Sequence, residues 1–147
     1  MTQPTETEKA EIERACRTLV LHSAAANDRQ DYAAFAELFS AAGVMRRPSG
    51  DPLRGREAIE NAYASRPKDR ITRHVCSNIL IHVDSARTAH GTTYVALYSA
   101  DASAEPDGHF GRPAAARVLV GEFEDRFELT EAGWRIAERS ARFVMHT

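Results

Sequence analysis

The sequence predicts an α+β fold, on three observations. Apolar residues recur at helical spacing only in roughly the first 65 positions. Four long runs rich in β-branched and aromatic residues follow from about residue 71. No helical pattern separates those runs, so the strands are expected to pair antiparallel rather than through βαβ crossovers.

Each element has a local reason. Thr5 and Glu8 have the spacing of a capping box. Ile12, Ala15, Cys16, Leu19 and Val20 then repeat at helical period and predict a helix from about Glu6 to Ala26. Asn27-Asp28-Arg29-Gln30 breaks the pattern. Asp31 suits the N-cap of a short second helix that buries Tyr32, Phe35, Leu38 and Phe39. Gly43 suits the left-handed position after a helix, and Val44–Arg47 reads as a short strand. Pro48, Gly50 and Pro52 force a turn. Gly55 precedes a third helix, roughly Arg56 to Ser65, with Ile59, Ala62 and Tyr63 inward, and Pro67 ends it. Residues 71–83 and 88–99 form two long strands about a turn at Asp84–Arg87. A Pro- and Gly-containing loop over 101–113 leads to a third, Arg117–Leu129. There Leu119, Phe123, Phe127 and Leu129 alternate with Glu122, Glu124, Arg126 and Glu128. Glu131-Ala132-Gly133 is a hairpin turn before the last strand, Trp134–Val144.

Composition bounds the function. A chain of 147 residues, 43% hydrophobic and 27% charged, is the size of one domain over 1–147 with a core of its own. Its 19 basic and 21 acidic residues give a net charge of −2, which argues against nucleic acid or an anionic membrane as partner. Cys16 and Cys76 fall on apolar stripes and read as buried thiols rather than a disulfide. Residues 1–11 are polar, no apolar run approaches the roughly 18 residues of a membrane span, and a cytoplasmic location is expected.

Strands this long must curl, and helices lidding the curl leave a cavity on the concave side. The expected architecture is a cone-shaped curved antiparallel sheet with three N-terminal helices enclosing one pocket. A two-residue turn at Ser85-Ala86 pairs Val83 with Thr88 and Asn78 with Thr93. On that register His74, Cys76, Asn78 and Leu80 share a face with Thr93, Val95 and Leu97. Val75, Ile79 and Ile81 share the other with Tyr94 and Tyr98. Both faces are largely apolar, so the outer one is expected to pack on a second copy, back to back, in a homodimer.

Asp28 and His74 are the notable polar pair. A histidine in an apolar wall needs a hydrogen-bond partner. A carboxylate on one ring nitrogen fixes the tautomer and leaves the other nitrogen as a general base. Arg139 could supply positive charge to a developing anion. The plainer readings stand beside this one: Asp28 as a turn or cap residue, His74 as a structural strand histidine, Arg139 as an ion-pair residue. His74 and His82 share a face eight residues apart, and His82 and His90 fall on opposite faces of the hairpin, so no metal site is expected. No cofactor fingerprint is present.

Several segments, in order, resemble a known family: Asp28-Arg29-Gln30-Asp31-Tyr32 leading to Phe35-x-x-Leu38-Phe39, then Leu53-x-Gly55-Arg56-x-x-Ile59, Arg73-His74-x-x-Ser77-Asn78, Gly121-x-Phe123-x-Asp125 and Gly133-Trp134-Arg135-Ile136. The chain is similar over about residues 8–143 to SnoaL-like proteins of the nuclear-transport-factor-2-like superfamily. The resemblance implies a cone-shaped pocket, a frequent dimer, and chemistry without a cofactor. Members range from polyketide cyclases, dehydratases and isomerases to epoxide hydrolases and binding modules. The pattern is nearest to the dehydrochlorinase and scytalone dehydratase branch, whose Asp–His dyad matches Asp28 and His74. The dehydrochlorinase's arginine on the last strand matches Arg139, whereas its lysine on the first helix falls at Ser23 and is missing here.

The expected function is therefore that of a lyase or isomerase acting on a small apolar or polycyclic molecule. Asp28, His74 and Arg139 are its expected catalytic residues. Tyr32, Tyr63, Cys76, Val95, Leu97, Leu119, Phe123 and Phe143 are expected around the substrate. The rivals are a non-catalytic binding or assembly protein of the same fold, and an epoxide hydrolase-like enzyme in which Asp125 joins Arg139.

Overall fold

The structure is a computed structural model that describes residues 2–147. Three helices, α1 (Glu6–Asp28), α2 (Tyr32–Glu37) and α3 (Arg56–Ala64), pack against one sheet. Its strands are β1 (Phe39–Arg46), β2 (Leu53–Arg54), β3 (Arg70–Val83), β4 (Thr88–Asp101), β5 (Leu119–Thr130) and β6 (Gly133–His146). The sheet is curved and unclosed, in the order β2-β1-β6-β5-β4-β3. Four of its seams are antiparallel, but β1 runs parallel to β6, so the sheet is mixed rather than wholly antiparallel.

The capping box forms: the Glu8 N–H donates to Thr5 Oγ1 at 3.2 Å and the Thr5 N–H to Glu8 Oε2 at 2.7 Å. The helix buries Ile12, Cys16, Leu19, Val20 and Ser23 and runs two residues beyond the expected end. Asp28 is thus its last residue rather than part of a break. The chain leaves the helix at Gln30, whose φ is +59°. The Gln30 amide then donates to the carbonyls of Lys68 and Arg70, both at 3.1 Å, and ties the end of α1 to the start of β3. This tie sets Asp28 beside the strand that carries His74.

Asp31 caps α2 by accepting from the Ala34 N–H at 3.1 Å. Phe39 belongs to β1 rather than to α2. Gly43 lies inside that strand at a register shift, with an ordinary backbone, and not in the left-handed region expected of it. A Cβ there would meet Phe39 Cβ and the Ser40 carbonyl, both at 2.9 Å. Phe35, Phe39, Ile59, Phe127 and Ile136 form the dry centre between helices and sheet.

The hairpin of β3 and β4 keeps the expected register only in the half nearer the helices. His74 faces Leu97 and Cys76 faces Val95, but a bulge follows Ser77, and beyond it Leu80 faces Thr92 and Val83 faces Ala89. Asn78 sits at the bulge with φ +50°, a conformation that asparagine tolerates better than most residues. One extra residue flips everything after it. Ile79 and Ile81, expected outside, pack on the core, while Leu80 turns outward and is 60% exposed. His74 and His82 consequently point to opposite faces. His82 and His90, expected apart, are paired and stacked with ring centroids 5.1 Å apart. The bulge has its own support. Arg17 on α1 donates to the Ile79 carbonyl at 3.0 Å, and Gly91 leaves space that a Cβ would take from the Leu80 carbonyl.

Candidate functional site

A cavity of about 330 Å³ opens on the concave face of the sheet under the helices, within the size range of small-molecule sites. Strand parity decides which side chains reach it. On β3 the inward positions before the bulge are Arg70, Thr72, His74 and Cys76, and the first three line the cavity. Val95 and Leu97 line it from β4, Leu119 and Phe123 from β5, Phe143 from β6 and Tyr63 from α3. Tyr32 and Cys76 do not. Tyr32 packs in the core with its ring 6.0 Å from that of Tyr63. Cys76 packs against the core beyond His74, where burial pushes its thiol up while the charge of Arg139 opposes.

At one side of the cavity the structure brings Asp28 and His74 together. His74 Nδ1 lies 2.6 Å from Asp28 Oδ1, the His74 backbone N–H donates to Oδ2 at 2.9 Å, and the Thr72 hydroxyl donates to Oδ1 at 2.9 Å. Burial alone would push the Asp28 carboxyl up. The hydrogen bonds from the His74 ring and backbone, the histidine's charge and the Thr72 hydroxyl outweigh it and hold the group below its ordinary value. With Asp28 ionised, Nδ1 carries the proton that it donates, and Nε2 is the nitrogen left over. The two side chains are 11% and 14% exposed, so the pair is shielded without being sealed.

Arg139 also lines the cavity, in a different setting. Its Nε and Nη2 donate to the two oxygens of Asp125 at 2.8 and 2.9 Å, its Nη1 donates to Ser23 Oγ at 2.8 Å, and its guanidinium carbon lies 3.9 Å from the centre of the Phe123 ring. The Ser23 hydroxyl in turn donates a hydrogen bond to the Val20 carbonyl at 2.7 Å. Both members of the ion pair have 2% exposed side chains. The charge of Arg139 is therefore answered in place by Asp125. No second carboxylate bridges to this guanidinium among the described residues. Nearby, burial foremost and the Asp125 charge after it push the Cys16 thiol up to about 12, so it stays protonated.

Sequence reasoning passed over Thr72 as a third donor to Asp28. It also passed over Arg47, Arg66 and Arg70, three arginines that line the same cavity. The parity that places His74 inward places Arg70 and Thr72 inward too. Arg66 stands in a connection, where arginine reads as surface, and Arg47, expected at the end of a short strand, lies just past β1.

Residues 8–140 match the SnoaL-like domain, and the chain belongs to that family. Its fold is also that of solved NTF2-like structures. A candidate scytalone dehydratase from Novosphingobium aromaticivorans DSM 12444 is 20% identical with a TM-score of 0.79, over 97% of this chain and 91% of that one. The hexachlorocyclohexane dehydrochlorinase LinA-type3 from Novosphingobium barchaimii LL02 is 12% identical with a TM-score of 0.80, over 97% and 93%. ActVI-ORFA from Streptomyces coelicolor is 15% identical with a TM-score of 0.73, over 90% and 97%. At these identities the likeness is one of fold. A comparison with curated proteins returns no match.

Proposed function

We propose that this protein is a cofactor-free lyase or isomerase that abstracts a proton from a small, mostly apolar molecule, with His74 as the general base. The observation that carries the reading is the 2.6 Å contact between His74 Nδ1 and Asp28 Oδ1 at the wall of an open cavity. Asp28 is the positioning carboxylate. The Thr72 hydroxyl and the His74 backbone N–H fix it, and it in turn fixes the ring and its tautomer. Nε2 takes the proton. Arg139 holds a rigid geometry beside the cavity. Three of the five N–H donors of a guanidinium are occupied, which leaves two for an oxygen that gains negative charge. Because Asp125 offsets its charge, Arg139 acts as an oriented hydrogen-bond donor more than as a net cation. The apolar wall from Val95 to Phe143 excludes water and accommodates the substrate body.

The test is turnover in a panel of hydroxylated, halogenated and carbonyl-bearing ring compounds, read as elimination or as exchange of a carbon-bound hydrogen with solvent. His74→Ala is expected to lower the rate by about 10²–10⁴-fold, with circular dichroism unchanged. Undiminished turnover in that variant would overturn the role.

The outer face of the sheet supports the second part of the proposal, a back-to-back homodimer. Val75, Leu80, Tyr94 and Tyr98 stand on neighbouring strands there, all between 44% and 60% exposed. Apolar residues so grouped mark an interaction surface. Tyr94→Glu is expected to convert a dimer to a monomer in sedimentation or light scattering; a wild-type chain that is monomeric at high concentration would contradict it.

A further inference from the structure

The cavity is unevenly charged. Five arginines line it, Arg47, Arg66, Arg70, Arg139 and Arg142, against a single glutamate, Glu122. Two of the five are answered: Arg139 by Asp125, and Arg142 by Glu122. The other three have no carboxylate partner among the described residues: Arg66 has only Tyr63 beside it, Arg70 is exposed, and the Arg47 Nε is a buried donor without an acceptor. The chain as a whole has a net charge of −2, so this is not the overflow of a basic protein. Unpaired cations in a low-dielectric cleft concentrate positive potential, and a buried donor without a partner is a cost that a bound acceptor removes.

The three arginines come from separate segments that all border this one cavity. Arg47 follows β1, Arg66 follows α3, and Arg70 opens β3. Arg66 is held with its guanidinium carbon 4.0 Å from the centre of the Tyr63 ring, a cation–π contact that fixes its position. Burial pushes the Tyr63 hydroxyl up, and the charges of Arg66, Arg139 and Arg47 and a hydrogen bond with Arg66 pull against it. Along β3, Arg70 and His74 are four residues apart, about 13 Å between Cα atoms. The same cavity is also lined by apolar side chains, among them Phe35, Met45, Val95, Leu97 and Leu119.

We infer that Arg47, Arg66 and Arg70 form a subsite for an oxyanion, a carboxylate or phosphate, carried by the substrate at the end of its apolar body opposite the atom presented to His74. The planar fork of arginine matches such a group with paired hydrogen bonds. The proposal rests on reading this cavity as the substrate site and narrows the substrate to an amphiphilic anion, with a body of about two fused rings between the two ends.

Calorimetric titration of the full chain tests it, with 2-naphthoate as probe, 2-naphthamide as its neutral counterpart and 2-naphthyl phosphate in parallel. Wild-type protein is expected to bind the acid at least about tenfold more tightly than the amide, and added salt weakens the acid alone. Arg66→Met and Arg47→Met each remove roughly tenfold from the acid's affinity and leave that of the amide unchanged, which also shows that the variants fold. The phosphate arm decides which oxyanion is preferred, and either preference supports the subsite. Equal binding of acid and amide, no binding of the acid, or an intact preference in both variants overturns it. His74→Ala separates this proposal from the catalytic one: the acid preference persists in that variant if the subsite is right, whether or not turnover is lost.

Discussion

Two pairs, each a carboxylate holding a side-chain nitrogen group, reach the same cavity through Arg139 and His74, and they differ in what they leave free. Asp125 and Arg139 are 2% exposed, bidentate, and closed further by Ser23 and Phe123. Asp28 and His74 are more open at 14% and 11%, and the histidine keeps one ring nitrogen without a partner among the described residues. The first arrangement spends both carboxylate oxygens and three of the five guanidinium N–H donors on the protein itself. The second uses a carboxylate, a hydroxyl and a backbone N–H to hold one ring while reserving that ring's reactive edge. A site needs both: a rigid pair that fixes the floor of the cavity, and a held but unsaturated group that can exchange a proton with its contents.

The contrast can be broken by mutation. Asp125→Ala removes the one carboxylate that holds the buried Arg139 guanidinium among the described residues, and is expected to cost about 3–5 kcal/mol of stability, read as a large drop in the denaturation midpoint. His74→Ala leaves Asp28 with the Thr72 hydroxyl and a backbone N–H, so the loss there is expected to be only about 1–2 kcal/mol. Equal costs in the two variants would erase the distinction between a structural and a reactive pair.

A smaller effect follows from acid. The folded-state value of Asp28 lies below its unfolded value of about 3.9, so the carboxylate contributes stability that is complete above that pH. That contribution disappears as pH falls through the folded value. Asp28→Asn is therefore less stable than wild type at neutral pH, and the gap is expected to shrink below about pH 4. Urea unfolding in steps of pH measures it, and a gap independent of pH would assign the carboxylate no such role.

How much of this was legible in the sequence depends on how local each feature is. The capping box at Thr5 and Glu8, the Asp31 cap and the long strands of the second half follow from residues within a turn or two of one another, and they stand within a few residues of expectation. The placement of Asp28 beside His74 came from resemblance, since the sequence does not show that Gln30 ties the end of α1 to β3. Parity along β3 held for Arg70 to Cys76 and failed from Ile79 onward, because alternation assumes that no residue is inserted and Asn78 gives only a faint hint of a bulge. The parallel seam of β1 with β6 joins residues about 95 apart, for example Val44 and Glu138, and nothing local announces it. The arginines at the cavity were hidden for the opposite reason. In a connecting segment an arginine is expected to be solvated, and only the assembled fold shows three of them turned toward one space.

The central claim is that Asp28 holds His74 with its proton on Nδ1 and Nε2 facing the cavity as the base. Nitrogen-15 chemical shifts of the His74 ring in the unliganded wild-type protein at mildly alkaline pH test it most directly. The account predicts a protonated Nδ1 and an unprotonated Nε2, a distinction that fades in Asp28→Asn. A proton found on Nε2 instead would contradict it, because the ring's lone pair would then sit on Nδ1 against Asp28 and Nε2 would have none to offer.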